Sequence, residues 1–233
     1  MAAQQVRLDA IAEDVSNVDT DGYKRQRVAF RELVYTAAGV GGGKGVGIGA
    51  GASATIIGRT GGQGALGNTS NPLDVALQGP GFLKVTRADG SIGYTRGGQL
   101  QIDGRGRLAT AEGDLVSPTI NVPSGTDPKD VSIGPDGTVA VKDKKVGKLT
   151  IEEVGAPDAM RSVGDGVFAT SAASGTAKAA ANTTVAQGQI EGSNVDPADS
   201  MVDMMDAQRS YSLASKAVQM QDQLLEIANG IKK

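Results

Sequence analysis

The chain has 233 residues, no His, Cys or Trp, only four Tyr and three Phe against 34 Gly, and a net charge of −3. Without Cys there are no disulfides, thiolate nucleophiles or Cys-based metal sites. The near-balanced charge, with no basic stripe bearing interleaved aromatics, leaves no footprint for nucleic acid. No run approaches the roughly 20 apolar residues of a membrane span. No basic stretch leads into an apolar one as in a cleavable signal peptide, so export would need another route.

At the start, Leu8, Ile11, Val15 and Val18 stand at coiled-coil spacing with Asp9, Glu13 and Asp14 facing away, which predicts a helix over the first eighteen residues. Asp19, Thr20, Asp21 and Gly22 then read as a turn, with Gly22 supplying the φ > 0 position. The basic cluster Lys24, Arg25 and Arg27 reads as a solvated or subunit-facing patch, because three cations in an acidic chain make no stripe. Tyr23, Phe30 and Tyr35 are dense for so aromatic-poor a chain and are expected to anchor this segment against a neighbour.

Residues 39–67 are Gly-rich. As a phosphate loop they fail, since Gly43-Lys44 is followed by Gly45 and the earlier Gly is replaced by Ala38. Gly47-Ile48-Gly49-Ala50-Gly51-Ala52 fits a loose dinucleotide pattern, but no helix-forming sequence follows. The segment reads as a loop running into an extended arm, mobile until packed.

From Asn71 to about Thr170 the pattern is β. Asp89-Gly90, Asp103-Gly104 and Asp136-Gly137 mark turns between short runs such as GFLKV, RLAT, TVAV and VGKLTIEEV. Glu152, Glu153 and Asp165 can be cast as the acid/base pair of a secreted hydrolase or glycan-binding domain. They read better as solvent-facing strand and turn acids, with no aromatic platform or nucleophile elbow beside them. Residues 171–183 are low-complexity and expected to be exposed. TVAQGQIEGSNVD then reads as a return strand into the last helix.

That last helix is the clearest element. Asp196 is its N-cap, Pro197 its first residue, and Gly230 its stop. Met204, Tyr211, Val218 and Leu225 form one line of a heptad seam. Ala207, Ala214, Gln221 and Ala228 form the other, and Met201 and Leu224 widen it. The seam is small and soft. A buried Leu- or Val-sized side chain contributes roughly 1.5–3 kcal/mol, while ordering one residue costs roughly 1–2 kcal/mol. One helix pair therefore barely offsets its own ordering, and the helices are expected to form on packing with copies from other subunits.

The fold class that follows is mainly β with terminal α-helices: a central many-stranded β domain, with the N- and C-terminal helices paired like a coiled coil. The expected division is residues 1–30 and 190–233 for the terminal helical domain, 31–70 and 171–189 for extended connectors, and 71–170 for the β domain. No catalytic, cofactor or metal site is expected. The assembly interface is assigned to Leu8, Ile11, Val15, Val18, Met201, Met204, Tyr211, Ala214, Val218 and Leu225.

Several stretches resemble the bacterial flagellar rod and hook proteins, in matching order along nearly the whole chain. They are Ala3-Gln4-Gln5, SNVDTDGYKRQ from Ser16, NPLDVALQGPGFLKV from Asn71, YTRGGQLQID from Tyr94, and QGQIEGSNVDPADSMVDMMDAQRSYSLASKAV from Gln187. The motif residues are Asn17, Thr20, Gly22, Tyr23 and Lys24 at one end. At the other are Ser193, Asn194, Val195, Gln208 and Arg209. The distal rod branch is the nearest match, since GYKRQRVAF directly follows the turn; proximal rod and hook subunits are the alternatives. The chain departs in placing Met1-Ala2 directly before the Ala-Gln-Gln, which shortens the first helix, and in carrying Glu13-Asp14 where relatives have Asn. The resemblance implies a structural subunit rather than an enzyme, exported unfolded by the flagellar type III apparatus without signal cleavage. It implies a helical homo-oligomeric tube around the export channel in the periplasmic basal body, terminal helices innermost. The implied partners are other rod and hook proteins and the basal-body rings.

Overall fold

The computed structural model describes residues 1–37, 46–123 and 125–231. The sequence-based expectation for the Gly-rich loop therefore falls in part, at residues 39–45, outside the described residues. Two compact units divide the chain.

The helix unit comprises residues 1–16, 26–57 and 196–233. It holds α1 (Ala2–Ser16), β1 (Gln26–Ala37), most of β2 (Val46–Arg59), and a long C-terminal helix. The two strands pair with each other and the two helices pack together. The Gly-alternating stretch read as an extended arm is thus a strand from Val46 onward. Ala3, Ala10 and Ile11 are the buried apolar residues of α1; Asp14, expected to face away, is instead buried, its carboxylate accepting the Gln26 N–H at 2.9 Å. The C-terminal helix starts at Pro197, as its sequence requires. Asp196 Oδ1 accepts the amides of Ala198 (2.8 Å) and Asp199 (3.3 Å), satisfying two of the free N–H groups of the first turn. It runs through Gly230 to Ile231, so that glycine does not stop it.

The β unit comprises residues 17–25 and 58–195. Its first half carries β3 (Leu66–Asn68), β4 (Val75–Gln78), β5 (Phe82–Thr86), β6 (Ile92–Thr95), β7 (Leu100–Ile102), β8 (Leu108–Thr110) and β9 (Leu115–Val116). Then come β10 (Val131–Ile133), β11 (Thr138–Val141), β12 (Lys144–Lys148) and β13 (Ile151–Glu153). The unit ends with β14 (Arg161–Gly164), β15 (Val167–Ala169), β16 (Lys178–Ala179), β17 (Thr184–Gln187) and β18 (Gln189–Glu191), ahead of α2 (Pro197–Ile231). Among the described residues, the largest sheet runs β14-β15-β6-β5-β9-β8-β7 and branches at β5, which also pairs β13. A second sheet is β10-β11-β12. The return segment splits at Gly188 (φ +70): β17 pairs β4 and β18 pairs β3.

An aliphatic core joins both larger sheets. Leu83, Val85, Leu108, Val116, Val139 and Leu149 are all at most 1% exposed. Inward residues alternate along β10 and β11, as half-buried strands require. A smaller cluster gathers Phe82, Tyr94, Val154, Met160 and Phe168.

The turns follow the sequence with local changes. Asp89, Asp103 and Asp136 each accept backbone amides within their own turns. In the second turn the positive φ falls on Gly106 rather than Gly104. VGKLTIEEV forms two strands, β12 and β13, because its halves serve different sheets. The low-complexity stretch is not wholly exposed: Ser174 is buried in a turn closed by Ser171, and β16 pairs β13.

Candidate functional site

Two places gather the residues singled out by sequence. The first is a chain crossing inside the β unit, where residues 20–25 meet 191–194. Gly22 N–H donates to the Glu191 carbonyl (2.7 Å), and Asn194 N–H to the Tyr23 carbonyl (3.2 Å). Asn194 Oδ1 accepts the Arg25 amide at 2.7 Å, and its Nδ2 reaches the carbonyls of Thr60 and Gly62. Gly22 has φ +68, and a Cβ there would lie 2.8 Å from the Arg96 backbone, so both conformation and space demand glycine.

Beneath this crossing lies a buried ion triad. Glu191 is fully buried and pairs with Lys24 through Oε1 and with Arg96 NH1 through Oε2 (2.9 Å). Oε1 also accepts the Gly64 amide (2.8 Å), Lys24 Nζ donates to the Gly62 carbonyl, and Arg96 NH2 to the Gly79 carbonyl. The guanidinium of Arg96 lies 5.2 Å from the centre of Phe82, and that of Arg59 lies 4.8 Å from the centre of Tyr23. Burial pulls the Lys24 ammonium below its ordinary value, against the opposing pull of Glu191. The reading of Lys24 as part of a solvated patch is therefore corrected. Arg25 is half-buried and Arg27 exposed, but Lys24 is an internal ion-pair partner.

Charges buried this deeply are tolerated only when paired and hydrogen-bonded. The triad therefore fixes three segments distant in sequence. It was missed because nothing local marks Glu191 or Arg96. The one available signal was a lone acid in an otherwise neutral return strand.

Other motif residues are more peripheral. Asn17 Oδ1 accepts the Thr20 hydroxyl (3.2 Å), and Ser193 Oγ accepts the Val195 amide (3.2 Å). Gln208 and Arg209 are exposed on α2. The acids considered for hydrolysis are engaged: Glu152 accepts from Lys84 Nζ and the Tyr94 hydroxyl (both 2.9 Å), and Asp165 from Arg87 (3.3 Å). The Tyr94 phenol is pushed up to about 12, first by burial and then by its bond to Glu152. Tyr23 is buried in the crossing, whereas Phe30 is exposed.

The second place is the helix pair. At 1.5 Å per residue α1 spans about 22 Å and α2 about 52 Å, so α1 can cover less than half of its partner. Ile11 is buried, Leu8, Val15, Met204, Tyr211 and Ala214 are half-buried, and Ala207 is fully buried. Val18, predicted in the same helix as Leu8, instead lies beyond the end of α1 in the turn that opens the β unit. Arg7 NH2 bonds Asp203 at 3.1 Å across the pair. Beyond Ala214 the seam is bare as far as its side chains are described. Val218 is 47% exposed, Leu225 57% and Leu224 67%, and Met201 near the start is 59% exposed. No described helix is long and apolar enough to cross a membrane.

Comparison with known proteins matches these places. Residues 1–24 match the model of the flagella basal body rod protein, and 76–141 that of the flagellar hook protein FlgE/F/G D1 domain. Residues 186–231 match the flagellar basal body rod FlgEFG protein C-terminal model. The chain is 34% identical to the flagellar basal-body rod protein FlgG of Borreliella burgdorferi, over 100% of this chain and 96% of the relative. The chain belongs to the flagellar basal-body rod protein family. It is 32% identical to FlgG of Buchnera aphidicola from Schizaphis graminum (96% of this chain, 93% of the relative). With the Escherichia coli rod protein FlgF it shares 31% over 95% of this chain and 90% of the relative. Its function is that of a structural rod subunit, most like the FlgG branch. The N- and C-terminal models include the two helices that pair and, Arg25 apart, the two segments that meet at the crossing.

Proposed function

We propose that the chain polymerises through its terminal helices into the tubular distal rod, a drive shaft surrounding the export channel. Copies pack through the seam assigned above: Leu8, Ile11, Val15, Val18, Met201, Met204, Tyr211, Ala214, Val218 and Leu225. The observation that carries this reading is the bare C-terminal half of α2. Leu213, Val218, Met220, Leu224, Leu225 and Ile227 lie within fifteen residues, each about half to two-thirds exposed. Val218 and Leu225 continue the seam, while Leu213, Met220, Leu224 and Ile227 form a second stripe roughly 100° or more round the helix. Exposed apolar surface this dense on two sides marks docking surface rather than ordinary surface composition. Residues 71–170 act as the self-standing β domain, with 31–70 and 171–189 connecting it to the terminal helical segments.

The subunit reaches the periplasmic basal body unfolded through the flagellar type III apparatus, without signal cleavage, and joins other rod and hook proteins and the surrounding rings. Its role is mechanical. Catalysis forms no part of the reading, since Glu152 and Asp165 are tied to neighbouring cations. Electron microscopy of the concentrated chain is the test. Tubes support the reading, and a chain that stays monomeric at every concentration overturns it.

A further inference from the structure

The β unit carries two oppositely charged surfaces that its own chain does not bring together. One is the β11–β12 hairpin. Residues 142–148 hold Lys142, Lys144, Lys145 and Lys148 against Asp143, and all four lysines are exposed. Lys142 pairs with Asp130 (3.2 Å) and Lys148 with Asp136 (3.8 Å), whereas Lys144 and Lys145 have no ion pair among the described residues. Beside them lies an open groove of about 410 Å³, walled by Pro123, Thr126, Val141 and Val146.

The other surface is built where three turns converge. Asp89, Glu112 and Asp165 all raise the cost of charge on Asp114 there, and the Arg87 guanidinium pairs with Asp114 and Asp165. Asp114 is only 7% exposed, yet its Oδ2 accepts no hydrogen bond, and Arg87 Nε stands 3.8 Å away. The turns are tipped by Gly90, Gly113 and Gly166, all at positive φ, and a Cβ on any of them would meet nothing within 4 Å. They are slim, free and acidic.

We propose that the lysine hairpin and groove of one copy receive the acidic turn cluster of a second copy, a direct β-unit contact repeated along the polymer. The proposal rests on the tube reading for its setting. Two different patches pairing head to tail make a heterologous contact, which propagates as a helical filament when its rotation does not close a ring. The competing explanation for the lysines is that β12 is a sheet edge and charge there blocks strand addition. That explanation leaves the acidic surface unaccounted for. It also predicts that glutamates serve as well as lysines.

The test mixes unlabelled and ¹⁵N-labelled full-length chains at low salt and joins contacting amines and carboxylates with a carbodiimide. Cross-links of mixed isotope linking Lys144 or Lys145 to Asp89, Glu112 or Asp165 are expected, and high salt should remove them. Lys144→Glu with Lys145→Glu should lose them and raise the critical concentration for assembly roughly tenfold, the scale of a few exposed pairs. Mixing that variant with Asp89→Lys/Glu112→Lys chains should restore them. Cross-links confined to single chains, or a lysine variant that assembles as the wild type does, overturn the proposal. Tubes without these cross-links sink the β contact alone, whereas the cross-links without tubes sink the tube reading alone.

Discussion

The β unit and the helix unit spend their apolar residues differently. In the β unit Leu83, Val85, Leu108, Val116 and Val139 are almost wholly enclosed, and even the charges of Lys24, Arg96 and Glu191 are buried and matched. In the helix unit α2 holds one fully buried apolar residue among those described, Ala207, while Leu213, Leu224 and Leu225 face outward. The first region packs most of its apolar side chains within one chain. The second carries a surplus of apolar surface, which in the proposed assembly further copies cover. A subunit built this way keeps its stability and its assembly in separate residues, and the two can be attacked separately.

The largest effect should come from Val218→Asp with Leu225→Asp. Both positions are exposed, so the β unit's melting should stay unchanged while polymerisation is lost, read by sedimentation and calorimetry. Loss of both together would erase the distinction. Next is Glu191→Ala, which leaves two buried cations without their carboxylate. Removing one partner of a buried pair costs about 3–5 kcal/mol, and denaturant unfolding should show a loss of that order. Replacing all three groups by Leu or Met should recover most of it, because the desolvation cost disappears with the charges.

How much of this was legible depends on whether the determinant was local. The Asp196 cap, the Asp89 and Asp136 turns and the alternation in β11 are set within a few residues, and sequence showed them. The triad joins residues 167 and 95 positions apart, so neither Lys24 nor Arg96 announces its partner. The strand at Lys178–Ala179 is likewise imposed from outside: its residues have weak β preference, and β13 supplies the template. The heptad seam of α2 was readable, but not where α1 stops covering it, which depends on the length of α1.

Two smaller effects sharpen the contrast. Asp196→Ala removes the acceptor for two amides and should cost about 1 kcal/mol. The loss should appear in the helix unit and not in the β unit's transition. Tyr94 reports on the β unit alone. Its folded value of about 12 lies above the unfolded value of 10, so the fold binds the phenolic proton more tightly than the unfolded chain does. The resulting stability is present below pH 10 and is lost as the pH rises toward 12. Ultraviolet titration should show one late-ionising phenol, absent from Tyr94→Phe; a variant with an unchanged titration curve would contradict the assignment.

The separation of stability from assembly is tested most directly by hydrogen exchange at the amides from Leu213 to Ile227, compared between dilute subunit and assembled tube. An uncovered helix end has little to offset its ordering, and helical stability in proteins comes mainly from a packed apolar face. The account predicts rapid exchange of these amides in the dilute chain, strong protection in the tube, and protection of β5 and β11 that is the same in both. Equal protection of Leu213–Ile227 before and after assembly would show that α2 is stable without its neighbours and would contradict the account.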